Sequence, residues 1–109
     1  MMAVIEFNVS ITPGETFDIL NDDTDADLVY KELKNIDKGK ELAVLIFEKY
    51  YFRSENRAAL TVIIDNFDGF TYVRSIATGS SKGFLFNFDW GAADNFAESI
   101  REKLDKYII

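Results

Sequence analysis

The chain has no histidine and no cysteine, and only one proline and six glycines among its 109 residues. Each absence removes a class of chemistry. Without histidine no side chain has an ordinary pKa near neutrality, and without cysteine there is no thiolate nucleophile and no soft metal ligand. Ser-His-Asp triads, Cys-His dyads, zinc fingers and disulfide scaffolds are therefore excluded within one chain. No uninterrupted apolar stretch reaches the roughly 20 residues needed to span a bilayer, and no basic start leads into an apolar run with a small-residue cleavage site. The expectation is a cytoplasmic protein with no membrane partner, since a lack of cysteine fits a reducing compartment. Bases are also scarce. Twelve Lys and Arg stand against nineteen Asp and Glu, a formal net charge of −7, so a phosphate backbone meets net repulsion and no nucleic acid is expected as partner.

The deficit is local. Residues 1–30 hold seven acids (Glu6, Glu15, Asp18, Asp22, Asp23, Asp25 and Asp27) and no base, whereas residues 31–109 carry twelve of each sign. What is abundant is apolar material: 48% hydrophobic and 15% aromatic residues suffice for one core, and a single domain over residues 1–109 is expected. Ile5, Phe7, Val9 and Ile11 alternate with Glu6, Asn8 and Ser10, the period-two pattern of a strand with one wet face. Thr12-Pro13-Gly14-Glu15 ends that strand and opens a short helix carrying Phe17, Ile19 and Leu20, with Thr12 and Glu15 spaced as a capping box. A second helix is expected from Thr24 or Asp25 to Gly39, burying Leu28, Val29, Leu33 and Ile36.

From Leu42 onward the residues turn β-branched and aromatic, and four strands are expected: Leu42–Phe52, Ala58–Asn66, Phe70–Thr78 and Phe84–Phe88. Arg53 to Arg57, the Asp68-Gly69 hairpin signal and Gly79-Ser80-Ser81-Lys82-Gly83 separate them. Phe96, Ile100, Leu104 and Tyr107 then recur at helical spacing from Ala92 to Tyr107. The fold class read from this order is α+β: about five antiparallel strands, with two short N-terminal helices and a long C-terminal helix on one face. Strand, two short helices, strands and a closing helix resemble a shortened helix-grip arrangement, as in START-like lipid- and steroid-binding proteins, with about two strands fewer. The stretch from Gly79 through Phe84, Phe86, Phe88, Asp89 and Trp90 to Gly91 is similar to that of a family of small bacterial proteins of unknown function, which implies no activity.

Few residues suggest chemistry, and each has a plainer structural reading. Asn21-Asp22-Asp23-Thr24-Asp25-Ala26-Asp27 alternates oxygen ligands as a calcium loop does, with Glu32 at the twelfth position, but Ala26 stands where glycine is required. Carboxylates capping the N-terminus of the second helix explain the run without a metal, and no metal or cofactor is expected. Gly79 to Gly83 has the composition of a phosphate cradle yet is followed by a strand, so it reads as a hairpin loop, with an anion at Lys82 as the alternative. Asp89-Trp90-Gly91 reads as a hinge, or as the mouth of a pocket between sheet and helix. Arg74 shares a strand face with Phe70, Tyr72 and Ile76; it must reach a carboxylate or snorkel to the edge, so it reads as a solvent-facing or edge-reaching side chain stacked on Tyr72, or as an anchor for an anionic ligand or for an acid across an interface. Tyr50, Tyr51, Arg53 and Arg57 raise the same question one hairpin earlier.

No carboxylate pair can be assigned to acid–base work, so the chain is read as non-catalytic. The middle strands carry the stronger signal. Leu42 to Phe47 is apolar at both parities, while helices cover only one face, so Ile63, Phe67, Phe70, Tyr72 and Ile76 are left as candidates for the other. A patch of that size marks an interface, and a homodimer formed through the sheet is expected. The alternative is a small apolar ligand held between the sheet and the C-terminal helix, with Tyr72, Arg74, Phe88, Trp90 and Phe96 as the binding residues.

Overall fold

The computed structural model describes residues 2–22, 26–51, 56–79 and 90–109. In chain order the elements are β1 (Met2–Val9), α1 (Pro13–Asn21), β2 (Asp27–Asp37), β3 (Lys40–Tyr51), β4 (Asn56–Asp65), β5 (Thr71–Gly79) and α2 (Trp90–Lys103), followed by a 3-10 turn at Asp105–Tyr107. The five strands form one antiparallel sheet in the order β1-β5-β4-β3-β2. Four consecutive strands thus meander, and the first strand docks beside the last. The α+β class and the five antiparallel strands agree with the sequence reading.

The second helix does not. Its segment is β2, an edge strand turned back onto β3 by Lys38-Gly39, where Asp37 pairs with Lys40 across a two-residue turn. Both turn residues have positive φ, 51° and 80°, which is the primed-turn geometry that matches the twist of a hairpin. Gly39 therefore reverses a strand and stops no helix. The apolar residues assigned to a buried helix face are largely exposed instead: Val29 by 52%, Leu33 by 40% and Ile36 by 57%. The expected strand at Phe84–Phe88 lies outside the described residues, so β2 supplies the fifth strand of the sheet. The closing helix begins at Trp90 and gives way to the 3-10 turn after Lys103. Gly91 belongs to its first turn rather than to a bend.

α1 starts as its sequence dictates. Thr12 Oγ1 accepts the Glu15 N–H at 3.0 Å, and the Glu15 carboxylate accepts the Thr12 N–H at 3.0 Å, closing the capping box ahead of Pro13. Gly14 N–H donates to Glu41 Oε1 at 3.3 Å, which ties this helix end to β3.

Both helices lie on one face of the sheet, and the core is what they cover. β1 contributes Ala3, Phe7 and Val9, β3 Ala43, Leu45 and Phe47, β4 Leu60, Val62 and Ile64, and β5 Val73 and Ala77. From above come Leu20 of α1 and Ala93, Phe96, Ala97 and Ile100 of α2, with Leu104 just beyond it. Every second residue of a strand faces this layer, and burial of each large side chain contributes roughly 1.5–3 kcal/mol. Small residues let α2 approach closely. Ala93 and Ala97 meet a sheet surface that includes Ala3, Ser75 and Ala77, and the buried Ser75 hydroxyl donates to the Ala97 carbonyl at 2.9 Å. A buried hydroxyl without that partner would cost a few kcal/mol.

Candidate functional site: the helix-free sheet face

The alternate residues of the same strands form the other face, and their register can be read row by row. One row across the sheet is Val4, Ile76, Thr61, Ile46 and Tyr30; the next is Glu6, Arg74, Ile63, Val44 and Glu32. Leu42 and Met2 extend the apolar part on either side. Leu42, Val44, Ile46, Ile63 and Ile76 are only half-buried although strands flank them on both sides, and Val4 is 47% exposed. Among the described residues no helix or strand lies over them.

Charged groups border this apolar band, and each is matched within the same face. Tyr72 donates its hydroxyl to Glu6 Oε1 on the neighbouring strand. Arg74 stacks over the Tyr72 ring, 5.4 Å from its centroid, and its Nη2 lies 3.6 Å from Asp65 Oδ2. Asp65 Oδ1 accepts the Phe67 N–H at 3.1 Å, and Arg74 Nε is buried without a hydrogen-bond partner among the described residues. At the far end Arg57 sits 5.8 Å over the Tyr50 ring and 3.6 Å from Glu48 Oε1. On β2, Lys34 lies 3.9 Å from Glu32, which also accepts the Tyr30 hydroxyl at 3.0 Å. The phenols of Tyr72 and Tyr30 are held above their ordinary value of 10.0, first of all because each donates to a carboxylate that would repel its anion.

Of the binding residues expected from sequence, Tyr72 and Arg74 stand together here, and Arg74 both stacks on Tyr72 and reaches an acid. Phe96 does not join them: it is buried under the opposite face, between α2 and the sheet. Phe88, Arg53, the loop from Ser80 to Gly83 and the side chains of Tyr51 and Trp90 lie outside what the structure describes. Ile63 and Ile76 lie on the bare face as expected, while Phe67 and Phe70 flank the β4–β5 turn and are 45% and 52% exposed. The sequence reading missed Met2, Val4, Leu42, Val44 and Ile46 as parts of one surface. The both-parity apolar run on β3 was the available signal.

The calcium reading fails in register. Asp23, Thr24 and Asp25 lie outside the described residues, but Glu32, the required twelfth ligand, is in mid-strand on β2 and engaged with Tyr30. The described segment that follows this run is the strand β2 from Asp27, not a helix for the acids to cap, and Asp22 stands at the C-terminal end of α1. Among the described residues no three acidic side chains converge where a metal could be held. An open groove of about 280 Å³ lies at one end of the sheet, where Val9, Ile11, Phe70 and Ile109 meet Thr12 and Asn66.

Fold and site together define a two-layer α+β domain in which the described helices cover one sheet face and no described helix or strand covers the other. The chain belongs to a family of unknown function, DUF6054, whose match spans residues 2–108. No curated protein and no solved structure matches the chain, and the likeness to START-like proteins gains no support from the single helix between β1 and β2. No helix among the described residues is long and apolar enough to cross a membrane.

Proposed function

We propose that this protein is a non-catalytic cytoplasmic interaction module that forms a homodimer through the helix-free face of its sheet. The observation that carries this reading is the apolar band of Val4, Ile76, Ile46, Ile63, Val44 and Leu42, which nothing among the described residues covers. Burying such a band releases about 25 cal/mol per Å² of apolar surface.

A second copy is favoured as the occupant by charge. The chain carries −7 overall, yet the acids of α1, Glu15 and Asp18, lie on the helix side. On the bare face Glu32, Glu48 and Asp65 each sit beside a base of the same face, and Glu6 holds a phenol. Two copies of this surface can therefore meet with little like-charge repulsion, while their acidic helix sides point away from each other.

Sedimentation velocity at tens of micromolar tests the reading. A dimer is expected for the native chain, and Ile63→Asp, which places a carboxylate at the centre of the band, is expected to give a folded monomer. A native chain that sediments only as monomer, or an unchanged mass for Ile63→Asp, overturns it. The apolar-ligand alternative gains nothing from the described part of the α2 contact, where Ala93, Ala97 and Ile100 are fully buried against the sheet.

A further inference from the structure

The two edges of the sheet are treated differently. At the β1 edge the chain's last residues run back along the strand: Ser10 N–H donates to the Tyr107 carbonyl at 2.8 Å, Ile109 N–H to the Asn8 carbonyl at 3.1 Å, and Val9 bridges Ile108. β2 at the other edge pairs only with β3 among the described residues. Its register breaks at Val29 and at Ile36, leaving residues 30–35 as a regular ladder whose outward backbone groups face no described strand. Tyr30 and Leu33 within this window, and Val29 and Ile36 at its ends, are all exposed.

We propose that β2 pairs with β2 of a second copy, antiparallel about a two-fold axis through Leu33. A two-fold that joins two edges in antiparallel fashion stands perpendicular to the sheet and keeps each face on its own side, so the register can change only in steps of two residues. Centred on Leu33, the register sets Glu32 opposite Lys34 twice, Tyr30 opposite Ile36 and Lys31 opposite Asn35. Moved one step either way, it sets Glu32 against Glu32 or Lys34 against Lys34, and like charges directly opposed are destabilising. In the present pair Lys34 is exposed, Glu32 is half-buried and the two lie 3.9 Å apart, so little is lost when each turns to the partner. Bulges and lysines on an edge guard against unlimited pairing. Here they flank one short self-complementary window, which admits a single symmetric partner. The contact is separate from the bare face and, as a short exposed pairing of two strands, is the weaker of the two: at tens of micromolar the face contact sets the sedimenting mass, and oxidation traps the edge contact.

The absence of cysteine makes the test direct. In the centred register Leu33 lies opposite its own copy at about 4.5–5.5 Å between Cα atoms, within disulfide range. Leu33→Cys is expected to form a disulfide-linked dimer under mild oxidation about tenfold or more faster than Asp18→Cys, an exposed site on α1. Adding Glu32→Lys is expected to slow the link, and adding Lys34→Glu as well to restore it. Equal rates for the two cysteine variants, or a link indifferent to the charge changes, overturn the proposal. Repeating Leu33→Cys with Ile63→Asp separates the two contacts, since the link is expected to persist when the face contact is lost. A link that disappears with Ile63→Asp overturns the edge contact as an independent one.

Discussion

Arg74 shows how one residue can be conspicuous in sequence while its partners are not. A guanidinium among apolar neighbours on a strand needs an acid, but nothing in the local sequence says that Glu6 arrives from the first strand and Asp65 from the fourth. Once the register is known the cluster is dictated, because Glu6 stands opposite Arg74 and Asp65 opposite Tyr72. The Tyr72 bond to Glu6 has a pH signature. Its phenol is raised above 10.0, so the neutral form is the one the fold favours. That contribution is fully present below about pH 10 and is lost as pH rises through the folded-state value. Phenolate absorbance followed to high pH should show Tyr72 ionising late, and Glu6→Ala should move it back toward 10; an unchanged curve would contradict the bond.

Among the elements, β2 is where sequence and structure part, and the reason is physical. Hydrophobic spacing reports secondary structure only when some face is buried, and most of β2 buries neither. Leu28, Val29, Leu33 and Ile36 fall at intervals a helix could also use, so the pattern had no core to answer to. β1 and β5 were legible because their alternate residues are buried, as in Thr71, Val73, Ser75 and Ala77. The turn carried the better clue: Lys38-Gly39 stands where a primed turn needs two positive φ values. A Cβ added at Gly39 meets nothing within 4 Å, so the cost of Gly39→Ala is conformational alone. Chemical denaturation should show a loss of about 1–2 kcal/mol. Asn66 secures the same turn from the side, donating to the Gly39 carbonyl at 3.0 Å and accepting the Glu41 N–H at 2.8 Å.

At the scale of the molecule, the net charge and the bare face belong to one arrangement. The acids of the first thirty residues read in sequence as a local excess on the first strand and a helix pair; α1 carries Glu15 and Asp18 away from the sheet surface that the middle strands leave apolar. The two proposed contacts should therefore answer salt in opposite ways. Raising ionic strength from about 0.01 M to about 1 M contracts the screening length from about 30 Å to about 3 Å. The sedimenting dimer should hold or strengthen, because its contact is apolar and its charges are matched internally. The Leu33→Cys link should form more slowly, because Glu32 and Lys34 attract across the two-fold; a sedimenting dimer that dissociates in salt would contradict the apolar contact. The docking of the first strand beside the last has its own consequence, for the order of folding. The strands from β2 to β5 follow one another as hairpins, but Val9 meets Thr71 and Met2 meets Thr78 only after most of the chain has been gathered. The entropy of closing so large a loop must be spent before the contact returns anything. The meander is thus the natural nucleus, and β1 enters late, as the strand that completes the sheet.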